Sequence, residues 1–191
     1  MDKKIIAIIA VAIVAVVGIG LFVLGSGDIT LEALDSSVKL PNNFTVDDRG
    51  VASAGDIKVQ LIGSSDSPDI LTSFMGTVAK KGADAGYKDY KNGTIGNFTF
   101  YEFTAIPKEL KNISTDRQST SEGETWTEYP PQMVLGMLDD TSNVEKVREV
   151  VFVNTKNNQI TTLLIYTNNS NVDLHTPEID KIVNSIEPLK R

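Results

Sequence analysis

A run of 20 residues without a charge, Ile5 to Leu24 (IIAIIAVAIVAVVGIGLFVL), constrains this chain more than any other part of it. It has no polar stripe, so it does not suit the half-buried helix of a globular domain. At about 1.5 Å of rise per residue such a helix is about 30 Å long, the thickness of a bilayer's hydrocarbon core. The sequence therefore predicts a stub over residues 1–4, a transmembrane helix over 5–24, a linker over 25–35 and a domain over 36–191. A signal peptide cut near Gly25-Ser26-Gly27, releasing a secreted domain, is the alternative, although its apolar region is normally shorter.

Lys3 and Lys4 precede the run, while Asp28, Glu32 and Asp35 follow it with no basic residue between them. By the positive-inside rule the N-terminus is cytoplasmic and the C-terminal domain outside, with the lipid bilayer as the partner of residues 5–24. No second apolar stretch approaches spanning length, so the expectation is a single-pass membrane protein.

Residues 28–191 are enough for one domain with a core. Beyond residue 4 the chain carries 24 acidic and 16 basic residues. That field repels nucleic acid and anionic headgroups, so no nucleic-acid partner is expected. Cysteine is absent, which removes disulfides, thiolate metal sites and Cys nucleophiles together.

Punctuation divides the domain. Val38-Lys39-Leu40 and Phe44-Thr45-Val46 are strand-like around the Pro41-Asn42-Asn43 turn, and Asp47-Asp48-Arg49-Gly50 is turn chemistry. Ile57 to Ile62 alternates as a half-buried strand. Ser67, Pro68 and Asp69 open a helix whose apolar face is Ile70, Leu71, Phe74 and Val78, with Lys80, Lys81 and Gly82 at its end. Residues 87–106 predict an antiparallel pair around Asn-Gly and Ile-Gly turns. Val147 to Val153 and Ile160 to Tyr166 predict a hairpin closed by Asn154 to Gln159. Thr176, Pro177 and Glu178 start a last helix with Ile179, Ile182, Val183 and Ile186 on one face. Strands in the middle and helices apart from them predict an α+β fold, an antiparallel sheet covered by helices. Residues 108–140 are polar until Met133 to Leu138, which suits a helical turn or two, or a buried strand.

The segments LPNNFTV, SPDILTSFMGTVAKKG, VREVVFVNTKNNQITTLLIYT and TPEIDKIVNSIEPL, in that order, resemble the PsbP-like (Mog1/PsbP) α+β domains over residues 36–189. The resemblance implies a non-enzymatic domain acting in binding or assembly. That family shares no active site, so it assigns no catalytic residue and no cofactor here, and a photosynthetic role is not implied.

Chemistry-bearing patterns are few. His175 is the only histidine, placed just before a helix start, where a loop role is the ordinary one. Asp47-Asp48, Asp139-Asp140 and the pair Asp66 and Asp69 lack the spacing of a calcium loop and read as solvated turns. Five N-x-S/T sequons, at Asn43, Asn92, Asn97, Asn112 and Asn168, are candidate glycosylation sites. They equally fit the crowding of Asn, Ser and Thr into loops and edge strands. Trp126 and Tyr129 are either an aromatic contact site for a sugar or protein, or a plug over the sheet.

The functional expectation is a membrane-tethered, extracytoplasmic, non-catalytic binding or assembly module for an envelope protein or glycan. A carboxylate-dependent envelope hydrolase and a structural surface protein are the alternatives.

Overall fold

The two β-branched runs either side of Asn154 to Gln159 form the middle of the fold. Val, Ile and Thr suit a strand because their branched side chains pack well on a pleated surface. The computed structural model describes residues 22–23, 28–64, 68–114, 118–120, 123–125, 128–129, 138 and 143–189. Its strands in chain order are β1 (Phe22–Val23), β2 (Ile29–Ala33), β3 (Ser36–Leu40), β4 (Thr45–Val46), β5 (Ala52–Ala54), β6 (Ile57–Ser64), β7 (Tyr87–Ile95) and β8 (Phe98–Ala105). They continue with β9 (Ile113–Ser114), β10 (Gln118–Thr120), β11 (Gly123–Thr125), β12 (Glu128–Tyr129), β13 (Lys146–Asn154), β14 (Ile160–Thr167) and β15 (Glu187–Pro188). Helix α1 spans Pro68–Lys81 and α2 spans Pro177–Asn184.

Seven strands make the main sheet in the order β4-β5-β6-β14-β13-β8-β7, and every neighbouring pair is antiparallel. A smaller antiparallel sheet has the order β1-β2-β3-β15. The fold is α+β with antiparallel sheets, as the segregation of strands from helices predicts.

Register fixes which residues share a face, because side chains alternate along a strand. Gln60, Leu164, Glu149 and Phe103 form one row across the sheet, and Val59, Ile165, Arg148 and Thr104 form a row on the opposite face. On the first face Phe74, Met75 and Val78 of α1 pack with Val147, Val151, Leu164 and Phe103. On the second, Ile179, Ile182 and Val183 of α2 join Leu31, Val38 and Leu40 of the small sheet against Val59, Leu163 and Ile165. Each such side chain contributes roughly 1.5–3 kcal/mol on burial. Helices alone therefore do not cover the sheet: the second face is closed by a helix and a second sheet.

That second sheet corrects the linker. Within residues 25–35, Ile29–Ala33 is a strand paired to β3, with Leu31 and Ala33 buried. The stub over 1–4 and the predicted transmembrane helix lie outside the described residues, except for Phe22–Val23. These two are extended and pair with Thr30 and Ile29. Among the described residues no helix is long and apolar enough to cross a membrane.

Local punctuation differs at two places. The chain does not stop being helical at Gly82 but tightens into a 3-10 turn over Gly82–Ala85, and Gly86, at φ 95°, closes it. The Asn92-Gly93 pair lies inside β7 opposite Tyr101 and Phe100, whereas the predicted Ile-Gly turn is the reversal, at Gly96 (φ 57°) and Asn97. Ser67 lies outside the described residues. At α2 the expected cap is present: Thr176 Oγ1 accepts from the Ile179 amide at 3.4 Å, with Pro177 in the first turn.

Candidate functional site

At one end of the main sheet, on the α1 face, the strands leave a polar cleft of about 430 Å³. Register builds its floor, since Lys58 on β6 lies between Ser53 on β5 and Tyr166 on β14. Asp47, Arg49 and Val51 from the β4–β5 turn form one wall. Lys108, Asn143, Val144, Glu145 and Asn168 also line it.

The charges in the cleft are mostly tied. Asp47 Oδ1 accepts from the amides of Arg49 at 3.0 Å and Val51 at 2.9 Å, and Oδ2 pairs with the Arg49 guanidinium at 3.2 Å. Burial alone would raise the Asp47 carboxyl, but the Val51 amide, with Arg49, holds it below the usual range. Lys108 is paired with Glu145. The Lys58 ammonium lies 6.0 Å from the centre of the Tyr166 ring, and no carboxylate among the described residues pairs with it. Tyr166 is 8% exposed, so it offers little open ring face.

A second cluster lies on the other face. Glu102 Oε1 accepts from Arg148 Nε at 3.0 Å and pairs with Lys91 Nζ at 3.0 Å. Arg148 also donates to the Leu174 carbonyl at 2.8 Å and pairs with Asp180 of α2 at 2.7 Å. His175 Nε2 is 2.6 Å from Thr104 Oγ1, while its Nδ1 is 3.8 Å from Glu102 Oε1. A hydroxyl, an imidazole and a carboxylate thus sit in a row, but 3.8 Å is too long for the hydrogen bond that would orient the base. The Glu102 oxygen is already engaged by two cations, and Thr104 is buried in the sheet. This arrangement fastens α2 and the segment before it to the sheet.

A third group is buried under α1. Glu149 is pushed from 4.5 to about 8 by burial, and its Oε2 has no hydrogen-bond partner. Tyr87 Oη and Gln60 Oε1 are also unpartnered, and burial together with the Glu149 charge raises the Tyr87 phenol.

Of the sequon asparagines, Asn43, Asn92, Asn112 and Asn168 are exposed and Asn97 is half-buried. The Asn97 carbonyl accepts from the Thr155 amide and hydroxyl, both at 2.9 Å, and Asn92 Nδ2 donates to Tyr90 Oη. Asn168 alone of the five lines the cleft. Trp126 lies outside the described residues, and of Tyr129 only the backbone is described, paired to Ile113. Asp66, Asp139 and Asp140 lie outside them too. Among the described residues no three His, Asp or Glu side chains are grouped to hold a metal ion.

Sequence reasoning did not single out Lys58, Tyr166, Glu102 or Arg148. For the last two a signal existed: a lone Glu in FTFYEFTA and an Arg-Glu pair in KVREVVFVN interrupt runs that are otherwise strand-like. No family model and no curated protein matches this chain.

Proposed function

We propose that this chain is a membrane-tethered, extracytoplasmic, non-catalytic binding or assembly module whose ligand engages the polar cleft at the end of the main sheet. The observation that carries this reading is the cleft itself, a 430 Å³ concavity on which charged, amide and hydroxyl side chains converge. The apolar run Ile5 to Leu24 and the flanking charges support the N-in, C-out tether. The order of elements, with α1 between β6 and β7 and α2 after the β13–β14 hairpin, supports a PsbP-like domain.

Full-length protein in nanodiscs, incubated with envelope extract, tests the function. Wild type is expected to retain a compound or polymer that Lys58→Glu does not. Release of cleavage products from envelope polymers by the purified chain would overturn the non-catalytic role. Protease digestion of intact cells tests the topology, with the domain degraded from outside.

A further inference from the structure

We infer that the cleft takes a small hydroxylated monoanion of the sugar-acid class, with its carboxylate on Lys58. This deepens the binding role proposed above and rests on it. The charge of the lining selects the ligand. Arg49 is paired with Asp47 and Lys108 with Glu145, which leaves the Lys58 ammonium as the surplus charge. One negative charge complements it. A dianion such as a phosphate monoester would leave a net negative charge in a cleft whose lining already carries Asp47 and Glu145.

The rest of the lining suits hydroxyl groups. Ser53 and Asn168 offer side-chain donors and acceptors, and the carboxylates of Asp47 and Glu145 accept further hydrogen bonds. Neutral sugars are commonly held by stacking on an open aromatic face, but Tyr166 is 8% exposed and lies beneath the Lys58 ammonium. A neutral hexose therefore loses both the stacking and the charge. The volume of about 430 Å³ is at the lower end for small-molecule sites and admits a single sugar-sized unit.

Calorimetric titration of the full-length protein in nanodiscs, made in a host without N-glycosylation, tests this. The probes are glucuronate, glucose, a hexose phosphate and an oligogalacturonate. Glucuronate is expected to bind at least about tenfold more tightly than glucose or the hexose phosphate, the scale of one charge-assisted contact. Lys58→Gln removes that preference without moving the thermal midpoint, and added salt weakens glucuronate binding in wild type alone. Tighter binding of the oligomer than of the monomer, with the same Lys58 dependence, identifies a polymer end or unit as the source. Preference for the monomer identifies the free acid.

Equal affinity for glucose, a preference for the phosphate, or unchanged glucuronate binding in Lys58→Gln would each overturn the sugar-acid assignment. Those results leave the binding role intact if retention from envelope extract still depends on Lys58. Silence of all probes together with loss of that retention would remove both.

Discussion

Glu102 and Arg148 form an ion pair at 3.0 Å across the β8–β13 ladder, with both side chains 1% exposed. Register makes the pair: Glu102 is opposite Val150 and Arg148 opposite Thr104, so the two are diagonal neighbours on one face. The arginine then reaches the Leu174 carbonyl and Asp180, which ties α2 to the sheet. Removing the arginine leaves the buried Glu102 carboxylate with only the half-exposed Lys91 ammonium and takes the guanidinium from Asp180. Arg148→Met should therefore cost roughly 3–5 kcal/mol in urea unfolding of the detergent-solubilised chain. Adding Glu102→Leu should recover much of that loss, because the buried, under-compensated carboxylate is gone. Equal stability of wild type and the single variant would refute the account.

Glu149 makes stability depend on pH. Burial raises its folded-state value from 4.5 to about 8, so between those values the folded chain keeps a proton that the unfolded chain releases. Its contribution is complete below pH 4.5 and is lost as pH rises toward 8. Over pH 4.5 to 7 the loss is roughly 3 kcal/mol at 1.36 kcal/mol per unit. Glu149→Gln, an uncharged amide of similar shape, should flatten this part of the profile and stabilise the chain at pH 8. Thermal midpoints of the two proteins across the range check it, and parallel curves would count against it.

Asp35 holds the small sheet to the far end of the main hairpin. Its Oδ2 accepts from Asn154 at 2.7 Å and from Asn157 at 2.6 Å, and its Oδ1 accepts from Ser36 Oγ at 3.0 Å. Asp35→Ala leaves the half of this set nearest the interior, on Asn154, without its acceptor, at a cost of about 1–3 kcal/mol. Hydrogen exchange should speed at the Lys156 amide, which donates to Asn154 Oδ1. Unchanged exchange there would show that the loop holds itself.

The elements most legible in the sequence are those whose signal is local. The β13–β14 hairpin shows β-branched runs and a polar loop, and α2 shows Thr176, Pro177 and a four-residue apolar spacing. The second sheet was hidden because Ile29 to Ala33 reads as acidic spacer, and its strand character comes from pairing with β3 and burial of Leu31 against the main sheet. Of the two predicted turns, Ile95-Gly96 is the reversal, and the Asn92-Gly93 signal was overridden by register. The cleft had no local pattern at all. Lys58, Tyr166, Asp47 and Glu145 come from four separated segments and meet only through strand order.

Gly63 is the point where the small sheet rides on the main one. A Cβ at this position would lie 2.6 Å from Leu34 Cδ1 and closer still to Leu34 Cγ. Leu34 is itself held at φ 53° in the turn between β2 and β3, so it has little freedom to withdraw. Gly63→Ala should then destabilise the chain by about 1–3 kcal/mol through overpacking. Shortening the opposing side chain relieves the clash, since Leu34→Ala leaves only a Cβ at 3.3 Å from the new methyl. The pair Gly63→Ala with Leu34→Ala should accordingly lose less stability than the sum of the two single changes. Thermal unfolding of the four proteins in one detergent measures the coupling, and strict additivity would mean that the two residues do not press on one another.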